Sequence, residues 1–181
     1  MFRKIPAAGL IGIWLIFMLP GVSGQPSPPV SEDAKTRLNK PETLDWMRTI
    51  GRMARAQQDS RMEALANGRP DSKTPRSDFM FCSGLAYLGN PKAQACVARA
   101  YEHGIGIIED LTEAHVWYTV ALENSAGDAA ARERLQSDLD RISLRLHSTY
   151  PSPSEEELED LVKAEKDRIT QYRDELKKTK K

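Results

Sequence analysis

Beyond residue 30 the chain shows no sustained alternation with period two; apolar side chains instead recur at three-to-four spacing, the rhythm of amphipathic helices. Residues 31–38 are compatible with a short helix. Pro41 stands where a helix can begin, since a first turn has no use for the missing amide. Leu44, Met47, Ile50, Met53 and Ala54 then form an apolar stripe that continues weakly to Met62 and Leu65, and Asn67-Gly68 is a suitable stop. Residues 69–77 are polar with two prolines, a loop between this arm and the central helices. Ser77 or Asp78 can cap a helix running to about Leu88. Asn90 caps and Pro91 opens the next, which ends at Gly104. After a tight apolar connection, Asp110 caps a helix containing Ala114, Trp117, Tyr118 and Ala121. Gly127-Asp128 introduces another, reaching about Leu146. Ser154 with Glu157 forms a capping box for the last, acidic at its start and basic at its end (Lys177, Lys178). The expectation is an all-α protein.

The first residues obey a different logic. Arg3 and Lys4 precede an uncharged apolar run over 7–19, Pro20 breaks it, and Val22-Ser23-Gly24 supplies small residues. This is the order of a secretory signal spanning 1–24, with cleavage before Gln25. The alternative is an uncleaved N-terminal anchor, for which the run is short against the ~20 residues of a membrane span. No cysteine comes directly after the run, which argues against a lipoprotein. Residues 25–40 open with Gln25-Pro26-Ser27-Pro28-Pro29 and read as a linker before or around the possible short helix.

At 89–127 the spacing resembles the Sel-one-like repeat, a family of α/α solenoid units related to tetratricopeptide repeats. Gly89-Asn90, Ala93-Gln94, Tyr101, Gly104-x-Gly106-Ile107, Asp110, Ala114, Trp117-Tyr118 and Ala121 fall at the family's positions. Val97-Ala98 stands where the family has Leu-Gly, Glu113 replaces a lysine, and Leu122 departs from a closing Ala-Ala pair. Residues 78–88 look like the second helix of a preceding unit, and 128–146 like the opening of a degenerate following one. The resemblance implies a short α/α superhelical core over 78–146, flanked by an arm and loop at 41–77 and a capping or docking helix within 147–181. The residues themselves fit packing roles: the alanines allow close helix approach, Gly104 and Gly106 permit a tight turn, and the aromatic side chains bury large areas.

Composition narrows the chemistry. The 181 residues carry 26 basic and 26 acidic side chains, which argues against a nucleic-acid binder working by bulk charge. Two cysteines exclude a four-cysteine metal site, and C-x-x-C-H is absent. His103, His115 and His147 offer no H-E-x-x-H spacing; His103 and His147 fit better as complements to helix C-termini. Gly104-x-Gly106 is too short to cradle phosphate, and G-x-S-x-G is missing. The acidic run from Glu155 reads as a solvated helix start, and Lys177, Lys178, Lys180 and Lys181 as a soluble end. No catalytic residue, metal or cofactor is expected.

Cys82 and Cys96 lie seven residues either side of Gly89, so in an antiparallel hairpin they reach the same height. A disulfide there, persistent outside the cytoplasm, would close a loop of about 15 residues and contribute ~3 kcal/mol. Two buried thiols acting as small hydrophobes are the alternative. The methionines of the arm (Met47, Met53, Met62), with Arg48, Arg52, Arg55 and Arg61 beside them, suit either a partner surface or a cap folded back on the core.

The function expected is non-catalytic: a protein–protein interaction or scaffold module of the cell envelope, exported to a bacterial periplasm, its partners proteins rather than nucleic acid. Membrane association would come only through an uncleaved signal or a complex. Two alternatives are a small cell-wall-active hydrolase, by analogy with cysteine-rich relatives linked to penicillin binding, and an obligate structural subunit of a periplasmic or membrane-associated complex.

Overall fold

The computed structural model describes residues 41–66 and 75–178; the expected signal and linker, the Asn67-Gly68 stop, most of the 69–77 loop and the final lysines at 180 and 181 lie outside them. The described residues form helices with no strand: α1 (Pro41–Gly51), α2 (Arg55–Ala66), α3 (Pro75–Tyr87), α4 (Pro91–His103), α5 (Leu111–Asn124), α6 (Ala129–His147) and α7 (Glu155–Lys178).

Local chemistry sets most boundaries. Asn90 accepts from the amides of Lys92 (3.0 Å) and Ala93 (3.2 Å) ahead of α4, with Pro91 in its first turn. Asp110 caps α5 through Thr112 and Glu113, and Asp128 caps α6 through Ala131. Ser154 and Glu157 exchange the reciprocal bonds of a capping box at α7. Gly104 ends α4 at φ 65°.

Two details differ from the sequence expectation. The arm is not one helix: it breaks between Gly51 and Arg55, and Gln58 splints the corner by donating to the carbonyls of Ile50 (2.9 Å) and Met53 (3.2 Å). Next, α3 begins at Pro75, three residues before Asp78; proline is the residue a first turn tolerates, so Asp78 is released from capping and pairs with Arg61 at 2.8 Å. The Arg61 guanidinium also lies 4.2 Å over the Phe81 ring.

Helices adjacent in the chain pack as hairpins: α3 with α4, α4 with α5, α5 with α6. A second relation joins next-but-one helices. The Cys96 thiol of α4 donates to the Met62 carbonyl of α2 across 34 residues, and Lys92 approaches Asp59 at 3.8 Å, so α2 and α4 run side by side in the same direction. Glu102 of α4 reaches Arg145 of α6 (3.4 Å). Thus α2, α4 and α6 share one layer, and α3 and α5 lie behind it. There Tyr87 meets Trp117 edge-on at 5.4 Å, and Phe79 meets Tyr101 likewise. Ala86, Ala93, Ala98, Ala114 and Ala121 are fully buried at the closest helix approaches.

The arm folds back on this core. Met62 and Leu65 join the main cluster, while Leu44 and Met47 of α1 pack with Tyr172 of α7. At Gly84 an added Cβ would lie 2.4 Å from Ile50 and 2.7 Å from Trp46, so the absence of a side chain is what lets α1 reach α3. The last helix, α7, lies against α5 and α3.

Candidate functional site

A groove of about 910 Å³ crosses the α2–α4–α6 layer. Its floor is weakly apolar, from Met62, Ala95 and Cys96. Its rims carry both signs of charge: Asp59 and Glu63 on α2, Lys92 and Arg99 on α4, Arg134 and Asp138 on α6. Successive turns of α4 present Lys92, Ala95 and Arg99 to one face because residues three and four apart share it. Burial raises the Asp138 carboxyl above its ordinary range, while Arg99 and His103 oppose the rise.

Beneath the groove, Glu102 ties the layer together. Its side chain is fully buried. It accepts a hydrogen bond from the Tyr118 hydroxyl of α5 (2.9 Å) and pairs with Arg141 and Arg145 of α6. Arg145 extends the network to Glu109 in the α4–α5 connection (2.9 Å). A buried carboxylate is tolerable here because one hydroxyl and two guanidinium groups converge on it. The network fixes the α4–α6 relation, and so the groove's width. A second buried carboxylate, Glu165 of α7, pairs with Arg168 of its own helix. Burial raises its pKa, opposed by Arg168 and the Tyr87 hydroxyl. The half-buried Glu113 of α5 feels the same surroundings, and burial, then the charge of Glu165, pushes it up to about 7.

A smaller cleft of about 520 Å³ separates α6 from α7 over the floor of α5. His115 and His147 both line it, with Leu146, Leu158 and Val162. His115 Nδ1 is buried without a hydrogen-bond partner, and burial, then the neighbouring His147, lowers its pKa from 6.5. His103 stands apart, beside Glu102. It lies in the last turn of α4, where the sequence placed it, and burial and the charges of Arg99 and Arg145 lower its pKa. Among the described residues no three His, Cys, Asp or Glu side chains gather as a metal-ligand set, and no helix is long and apolar enough to cross a membrane.

The residues that carry the resemblance to a repeat all serve the frame. Tyr101, Ala114, Trp117, Tyr118 and Ala121 are buried; Gly104 and Gly106 shape the α4–α5 turn; Asp110 caps α5. At Gly106 (φ 74°) a Cβ would sit 2.3 Å from the Pro75 carbonyl oxygen, so this turn is where α3 begins against it. Tyr118 alone also borders the groove. Cys82 and Cys96 face each other at 3.3 Å as free thiols, both buried, with Cys96 on the groove floor. Reading the sequence missed Glu102, Glu165 and Gln58, all buried polar side chains. Gln94 donates to the Ala86 carbonyl and accepts from Asn124, clasping α3, α4 and α5. The signal present for Gln94 was its place in the Ala93-Gln94 pair.

Comparison of the chain with protein-family models, with curated protein sequences and with solved structures gives no match.

Proposed function

We propose that this chain is an exported, non-catalytic interaction module of the cell envelope, built on a short Sel-one-like α/α repeat core whose α2–α4–α6 groove receives a segment of a protein partner. The reading rests first on register. The α2-to-α4 contact spans 34 residues, a spacing suited to one tetratricopeptide-like helix pair, and the 43 residues from Glu102 to Arg145 in the next step fit a degenerate following unit. The signature side chains stay in the core, which leaves the groove's polar side chains free to set specificity. The single observation carrying the function is the groove itself: a weakly apolar floor between rims of both charge signs fits a polypeptide segment better than a uniformly charged polymer. Export rests on residues 1–24, and a periplasmic protein would begin at Gln25.

The test is a photo-crosslinking amino acid placed at Ala95, on the groove, and at Ala164, on the exposed face of α7. Crosslinks to one envelope protein from position 95 and not from 164, abolished by Arg99→Glu with Arg134→Glu, are the expected result. Equal crosslinking from both positions, or insensitivity to the charge reversals, would remove the groove from the account. Intact mass of the mature chain checks cleavage before Gln25.

A further inference from the structure

The two thiols and the Met62 carbonyl form a relay. Cys96 Sγ–H donates to the Met62 carbonyl oxygen at 3.3 Å, which leaves the sulfur's lone pairs facing Cys82 Sγ, also at 3.3 Å. Cys82 is fully enclosed, whereas Cys96 forms part of the groove floor. The two residues stand at one height on facing helices joined by the tight turn at Gly89 and Asn90. Small neighbours, Ala86 and Ala93 among them, hold α3 and α4 close. Bringing the sulfurs to bonding distance requires a closure of about 1.2 Å, within the reach of side-chain rotation.

We propose that Cys82 and Cys96 are an oxidisable pair entered through the groove, and that their disulfide locks the α3–α4 hairpin while releasing Cys96 from Met62 of α2. The oxidant is a small or protein disulfide donor. The Cys96 thiolate attacks one sulfur of the donor, forming a mixed disulfide and expelling the donor's first thiolate. Cys82 then attacks Cys96 Sγ; the internal S–S bond forms and the donor's second thiolate leaves. Two thiol protons pass to solvent or to the departing thiolates, and two electrons reduce the donor to a dithiol or two thiols. Access sets the order, since only Cys96 meets the groove. Chemistry agrees: the Cys82 thiol is held protonated chiefly by its hydrogen bond to Cys96, and that restraint ends once Cys96 is covalently capped. Met62 then loses its thiol donor, so the change is felt on α2, one wall of the groove.

The experiment is intact-mass analysis of the reduced chain after equilibration with excess oxidised glutathione, and then digestion. The expected product is a monomer two hydrogens lighter, restored by reductant, with one linkage joining the Cys82 and Cys96 peptides. Cys82→Ala should trap glutathione on Cys96, and Cys96→Ala should leave Cys82 unmodified. Hydrogen exchange should quicken in α2 and slow at the α3–α4 turn on oxidation. An unchanged wild-type mass, a glutathione adduct without internal bond, or disulfide-linked dimers would each overturn the pair. Oxidation with α2 exchange unchanged would overturn its link to the groove. The wild-type measurements decide both points even if a variant fails to fold.

Discussion

Single side chains already separate structural from permissive positions. Gly106 combines a left-handed φ with backbone 2.3 Å from where a Cβ would stand, whereas a Cβ at Gly127 meets nothing within 4 Å. Gly106→Ala should therefore lose about 1–3 kcal/mol in urea unfolding, and Gly127→Ala should stay within about 0.5 kcal/mol of the parent chain. Glu113 makes a pH prediction. Its carboxyl, raised from 4.5 to about 7, lies among Glu165 and Arg168 of α7, Tyr101 of α4 and its own cap Asp110. The folded chain binds this proton more tightly than the unfolded one. Its contribution is therefore retained below about pH 4.5, and is lost as pH rises through 7. Glu113→Gln should raise stability at pH 8 by on the order of 1 kcal/mol and leave pH 4 nearly unchanged. Thermal melts at the two pH values measure this; equal shifts at both would remove the buried proton as the cause.

Helix by helix, what could be read in the sequence divides by range. The caps Asn90, Asp110 and Ser154 were legible because each acts on amides two or three residues away, whereas Gly127-Asp128 read only as punctuation and the structure adds the Asp128 cap. The corner between α1 and α2 was not, since the apolar stripe runs across it and the Gln58 splint depends on a turned backbone. Gln58→Ala should cost about 1–2 kcal/mol by stranding the Met53 carbonyl, read as a lower urea midpoint. The burial of Glu102 was equally hidden: a glutamate near a helix end reads as solvated, and its arginine partners stand on α6, 43 residues away for Arg145. Tyr118→Phe removes the hydroxyl that donates to that carboxylate, and should cost about 1–3 kcal/mol with helix content unchanged by circular dichroism. The groove, like Glu102, needs three helices in register, so sequence reading reached its frame and not its lining.

Taken together, the helices are joined in two ways. Most contacts link neighbours or next neighbours in the chain. The exception is α7, which besides its next neighbour α5 touches α3 and, through Tyr172, meets Leu44 and Met47 of α1. Tyr172 also lies 4.7 Å from Tyr87, the ring that stacks edge-on with Trp117. A chain ending at Pro153 should unfold in two steps, with tryptophan fluorescence and circular dichroism giving separate midpoints where the full chain gives one. Coincident transitions in the shortened chain would mean that the core is cooperative without α7.

A linear stack of helices ordinarily unzips from whichever end is weaker. Here Tyr172 of the last described helix packs with Leu44 and Met47 of the first, so fraying of either helix breaks the same joint. The path behaves as a closed circuit rather than an open row, and a pull on one end is resisted by the other.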